Sequence, residues 1–149
     1  MGNDSAKLEI IDLGLLDYEE CLEIQKKMVQ DRINDKISDS LLMVSHPPVV
    51  TIGRSGSFDE LTIPSEELPG QGIQLCRTDR GGKSTYHGPG QLIAYPIIKL
   101  KDKDVHRYVQ TLLNVISGVL IDVNLRPELK PGAPGVWVNN RKIGSIGIS

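Results

Sequence analysis

The segment Arg80-Gly81-Gly82-Lys83-Ser84-Thr85-Tyr86-His87-Gly88-Pro89-Gly90-Gln91 lies between two strand-like runs, 73–78 before it and 92–98 after it. Four glycines in these twelve residues let the backbone approach a ligand closely and take positive φ angles, while Pro89 stiffens the path. Arg80, Lys83, Ser84, Thr85, Tyr86 and His87 bring hydrogen-bond donors and one titratable imidazole to the same turn. From the residues alone two readings stay open. One is a cradle for a ligand; the other is a wide hairpin loop whose polar side chains are solvated. Neither the Walker A spacing nor the dinucleotide-binding G-x-G-x-x-G is present.

Working outward, residues 8–13 read as a first strand, and Asp17 as the N-cap of a helix over 18–34, with Glu20 three residues on. Leu41–Val44 is a continuous apolar run, hence a buried strand, stopped by His46-Pro47-Pro48 and followed by a second strand over 49–53. His46 is held extended by the prolines and reads as a turn residue rather than a ligand. Residues 54–74 read as a long loop, a length that points to function. From Asp104 an apolar residue recurs every three to four positions, predicting an amphipathic helix to about residue 121. A loop over 124–134 then leads to a hairpin: Val136–Val138, a turn at Asn139-Asn140, and a return strand over 142–148. The mixture is an α+β pattern.

A chain of 149 residues suits one domain, here 1–149. With 39% hydrophobic and 24% charged residues and a net charge of -2, it has the composition of a folded, soluble protein. That charge supplies no footprint for nucleic acid, and 4% aromatics offer little for base stacking. No apolar run is long enough for a membrane span and no targeting segment opens the chain, so a cytoplasmic location is expected. Cys21 and Cys76 have no paired spacing, and with three scattered histidines they make no metal site. Cys21 falls on the apolar stripe of its helix, the place of a small buried hydrophobe. Lys142, opening the last strand beside Ile143, Gly144, Ser145 and Gly147, has two readings. It is a catalytic amine if the strand mouth desolvates it, or a solvated hairpin lysine like Arg141.

The segment Arg80–Ile97 closely resembles the signature of the lipoyl(octanoyl) transferases. Three further segments resemble the same family in the same order: Ser45–Gly53, Asp104–Val109, and Gly135–Val138 with Lys142–Ile148. The resemblance implies a biotin/lipoate-protein-ligase-like fold, a central sheet with flanking helices. It implies transfer of an octanoyl group from octanoyl-acyl-carrier protein to a lysine of lipoyl domains, those of 2-oxoacid dehydrogenases and the glycine cleavage H protein. No cofactor, nucleic acid or membrane enters that chemistry. By the same resemblance Arg80, Gly81, Gly82, Lys83, Ser84, Thr85, Tyr86, His87, Ser145, Ile146 and Gly147 line the acyl pocket, with the 80–87 stretch at its polar mouth. Lys142 favours the thiolate of a cysteine nucleophile that carries the acyl group as a thioester. A basic area drawn from Arg54, Arg77, Arg80 and Lys83 is the expected dock for an acidic carrier protein.

The chain departs from this pattern at the nucleophile. The family's cysteine lies roughly thirty residues beyond the lysine, and no residue of this chain matches its position. The expectation is therefore a catalytic domain lacking its C-terminal part. Two rival functions follow: a non-catalytic acyl- or partner-binding fragment, and a ligase that activates a free fatty acid with ATP.

Overall fold

In a computed structural model, residues 7–130 and 133–148 are described, and the chain divides into two compact units, 1–99 and 100–149. The first unit holds two three-stranded sheets. In one, β1 (Leu8–Leu15) runs parallel to β2 (Asp39–Ser45), which pairs antiparallel with β6 (Ile93–Ile97). In the other, β3 (Val49–Ile52) is central, parallel to β4 (Gln74–Arg77) and antiparallel to β5 (Ser84–His87). Their residue patterns explain the placement. On β2, Ser40, Leu42 and Val44 are buried and their neighbours half-buried, the alternation of a strand with one core face. All four residues of β3 are buried, as suits a central strand covered on both faces. Pro96, which cannot donate to a ladder, sits on β6 at a sheet edge.

The helix α1 (Tyr18–Ile33) connects β1 to β2. Asp17 caps it as expected, Oδ1 accepting from the backbone N–H of Glu19 at 2.8 Å and of Glu20 at 3.3 Å. Only the first turn of its apolar stripe is buried: Tyr18 and Cys21 are enclosed, whereas Val29 and Ile33 are exposed.

The second unit contains α2 (Val105–Asp122) and an antiparallel sheet of β7 (Glu128–Lys130), β8 (Ala133–Val138) and β9 (Arg141–Gly144). Asn139 and Asn140 both take positive φ, 49° and 61°, the geometry of a two-residue hairpin turn. Ile116 of α2 lies against Gly144 of β9, while Val115 and Val119 on the same helix are each 57% exposed.

Four expectations need correction. Ser84–His87, read as part of a loop, forms β5, because its alternation of half-buried and exposed residues pairs with β3. The 54–74 loop is organised by three 3-10 turns, the first closed by a capping box between Ser57 and Glu60. The 124–134 loop includes β7. The return strand ends at Gly144 rather than Ile148; residues 145–148 carry no regular structure.

Candidate functional site

β5 divides the glycine motif between two faces. Opposite β3, Val49 pairs with His87 and Thr51 with Thr85, so these four share one side of the sheet. Val50 pairs with Tyr86 and Ile52 with Ser84 on the other. A one-residue alternation thus sends His87 and Tyr86 to different environments.

On the first side, His87 meets a cluster of rings. Its ring stacks with Tyr18 at 6.1 Å between centroids and at 13° between planes, and stands edge-on to His46 at 5.9 Å. His46 is fully buried, edge-on to Tyr18 at 5.2 Å. The carbonyl of Leu16 can only accept, so the His46 Nδ1 beside it at 2.7 Å carries the proton, and Nε2 meets the Tyr95 hydroxyl at 3.1 Å. Burial raises the pKa of the phenols of Tyr18 and Tyr95, keeping both neutral. Burial also lowers the pKa of His87. The Arg80 guanidinium pushes the same way, against the opposing hydrogen bond to Gln91. One imidazole and two phenols with shifted pKa values, gathered around the buried His46 ring, mark a site candidate.

Arg80 is held against β3. Its Nη2 donates to the carbonyl and hydroxyl of Thr51 at 2.9 and 2.8 Å, its Nε to the same hydroxyl at 3.3 Å, and its Nη1 to the Gly81 carbonyl at 3.0 Å. The guanidinium is spent on fastening the loop to β3. Backbone bonds complete the seam, from Gly53 to Lys83, Arg54 to Arg80 and Ser55 to Gly82. Gly53 is required there: a Cβ would stand 2.4 Å from the Gly82 carbonyl oxygen and 3.0 Å from that of Arg80. Gly82 takes φ +86°, a conformation open to glycine.

On the other side of β5, Ser84 and Tyr86 border a cleft of about 330 Å³ beneath the 3-10 turns, with an apolar lining of Val50, Leu61, Ile63, Leu68 and Ile73. Lys83 forms an ion pair with Glu60 at its edge. Of the residues expected to form a basic dock, Arg80 turns inward, Lys83 pairs with Glu60, and Arg77 lies over the Phe58 ring at 4.7 Å.

Neither cysteine is a prepared nucleophile. Cys76 is buried, its Sγ 3.8 Å from Oε1 of Glu19; burial, then the negative charge of Glu19, pushes its thiol up to about 11. Burial raises Cys21 too. In the second unit Lys142 is exposed, its Nζ 5.2 Å from the centre of the Trp137 ring, and Lys130 lies 4.7 Å from the same ring. Gly135, at φ +140°, leaves room for the Lys142 stem, which a Cβ there would meet at 3.1 Å. Ser145 and Gly147 are exposed and Ile146 half-buried.

The cluster around His87 includes three residues not expected in the site: Tyr18, His46 and Tyr95. Their signals were a tyrosine directly after a helix cap, a histidine fixed by two prolines, and a strand tyrosine eight residues past His87. They come together through α1, the turn after β2, β6 paired with β2, and β5 paired with β3.

Residues 17–149 match the profile of the lipoyl protein ligase A/B catalytic domain. The chain is 41% identical over 145 residues to an octanoyltransferase of Roseiflexus sp., covering 95% of this chain and 60% of that protein. With the octanoyltransferase of Rubrobacter xylanophilus it shares 43% over 136 residues, 91% of this chain and 62% of the relative. The chain thus spans about 60% of the length of these curated relatives. Its fold is that of a bi-partite lipoate protein ligase from Thermoplasma acidophilum, with a TM-score of 0.64 and 20% identity over 89% of this chain and 52% of that one. A lipoate-protein ligase A bound with ATP gives a TM-score of 0.64 at 19% identity, over 93% of this chain and 58% of that one. The α+β class expected from the sequence is the observed one, and the chain belongs to the lipoyl protein ligase A/B catalytic-domain family.

Proposed function

We propose that this chain holds the acyl site of an octanoyltransferase of protein lipoylation. The donor is an octanoyl thioester on acyl carrier protein, and the acceptor a lysine of a lipoyl domain. Thioester exchange is nearly isoenergetic and amide formation runs downhill, so the transfer needs no nucleotide. The observation that carries the reading is the His87–Tyr18–His46 cluster: the glycine motif that resembles the octanoyltransferase signature folds its imidazole into a ring-lined, partly open site. Lys142 keeps the role that resemblance gives it, an ammonium that favours a nucleophilic thiolate. The thiol itself is to come from outside these 149 residues, because Cys21 and Cys76 are buried and held as thiols.

That same state of the cysteines favours a second reading, an acyl- or partner-binding chain that forms no acyl-enzyme by itself. The test is to mix the chain with octanoyl-acyl-carrier protein and, separately, with octanoate and ATP. Saturable binding of the octanoylated carrier without octanoate-dependent ATP–pyrophosphate exchange is expected. Exchange would make the chain a ligase, and failure to bind the octanoylated carrier would remove the transferase reading.

A further inference from the structure

His87 is fixed in one tautomer. Its Nδ1 lies 2.7 Å from Oε1 of Gln91, an oxygen that only accepts, so Nδ1 carries the hydrogen. The amide of Gln91 is oriented for this, its Nε2 donating to the Tyr86 carbonyl at 3.5 Å. Nε2 of His87 is therefore the bare nitrogen of the neutral ring, and it has no hydrogen-bond partner among the described residues. The ring is held from three directions, by Tyr18 of α1, by His46 of the β2–β3 turn and by Gln91, and the residue is only half-buried. The charged and titratable groups around it are Arg80, His46 and Tyr18. Burial disfavours an imidazolium, as does the positive charge of Arg80. An oriented, neutral imidazole with one open lone pair is a proton acceptor waiting for a donor.

We infer that His87 is the proton shuttle of amide formation, taking a proton from the attacking lysine nitrogen and returning it to the departing sulfur. The inference rests on the octanoyl-transfer reading. The neutral amine attacks the thioester carbonyl carbon, and the new C–N bond makes the nitrogen strongly acidic. Nε2 accepts its proton. The C–S bond then breaks, the electron pair leaves with sulfur, and the imidazolium protonates that thiolate. Thioester and amine become amide and thiol, and His87 ends as it began. An imidazole of depressed basicity suits both transfers, being basic enough for the acidic nitrogen and acidic enough for a thiolate.

Octanoyl-pantetheine serves as donor in the test, so that no enzyme thiol is required, with N-acetyl-lysine amide as acceptor and the 149-residue chain as catalyst. At saturating donor, His87→Ala is expected to lower the amide-forming rate about 100-fold. Free imidazole in the buffer is expected to restore it, more so for imidazoles of higher basicity. A fall in rate that no imidazole rescues overturns the shuttle and leaves the transfer reading standing, as does an unchanged rate. A wild-type chain that accelerates nothing overturns the shuttle and leaves the transfer reading, which draws its thiol from outside these residues, to the carrier-binding test. Long-range proton–nitrogen NMR of the unmodified chain gives an arm independent of activity. A protonated Nδ1 and bare Nε2 on His87 near pH 7 is the expected result, and the opposite tautomer overturns the inference.

Discussion

Arg80 and His87 are neighbours in one motif and do unlike work. The sequence reading placed both at the mouth of an acyl pocket, and nothing in residue type separates them. What separates them is their partners: the Arg80 guanidinium is on the Thr51 carbonyl and hydroxyl, whereas His87, on β5, lies against Tyr18. Arg80→Lys keeps the charge but loses the fork. It is expected to cost about 2 kcal/mol, the scale of a lost charged hydrogen-bond set, and a urea titration reads it. A change below about 0.5 kcal/mol, the size of an ordinary surface substitution, would deny the seam its role. His87 has a pH signature as well. Its folded pKa lies below the unfolded value of 6.5, so above that pH both states are neutral and the group has no effect. As pH falls below 6.5 the unfolded chain takes up the proton first, and stability is lost down to the folded pKa. Thermal melts from pH 7.5 downward are expected to show this slope, flattened in His87→Asn, about one proton's worth. Equal slopes in the two proteins would place the titration elsewhere.

At the scale of elements, the strongly periodic or capped pieces were legible. Asp17 with Glu20 marked the start of α1, the prolines after His46 divided β2 from β3, and Asn139-Asn140 marked the hairpin turn. β5 was not legible because four residues inside a glycine-rich motif carry no hydrophobic alternation, and their strand character comes from pairing with β3. Likewise Lys142–Ile148 looked like one strand, yet the pairing with β8 stops at Gly144. His46 was read as a turn residue from its prolines, and it does sit in the turn. Its partners, Leu16 and Tyr95, are 30 and 49 residues away, beyond the reach of local pattern. The cap of α1 matters beyond helix stability because Tyr18 follows it directly. Asp17→Ala is expected to cost about 1 kcal/mol. It is also expected to weaken octanoyl-pantetheine binding, since the Tyr18 ring that backs His87 loses its anchor. Full affinity in this variant, measured by calorimetric titration, would separate the cap from the site.

For the whole molecule, the family was legible from four motifs in order, and the residues that would finish the chemistry were not among them. The chain carries two cysteines, and the fold spends both on packing: Cys21 is fully buried and Cys76 sits in a cluster with Tyr18 and Val49. After incubation with octanoyl-acyl-carrier protein, intact mass measurement is expected to show no octanoyl adduct on this chain. A stable thioester at Cys76 would show that its environment, dominated by burial and Glu19, does not protect it. None of the α2 side chains among the described residues is fully buried, and α2 brings the third histidine, His106, in an exposed position in its first turn. His106 is thus the natural control for the central claim, that the His87 face of the glycine motif is the octanoyl site. The direct measurement is calorimetric titration of octanoyl-pantetheine into the wild type, His87→Ala and His106→Ala. The account predicts saturable binding that weakens about tenfold, some 1.4 kcal/mol, in His87→Ala and stays unchanged in His106→Ala. Equal affinities in all three, or equal losses in the two variants, would contradict it.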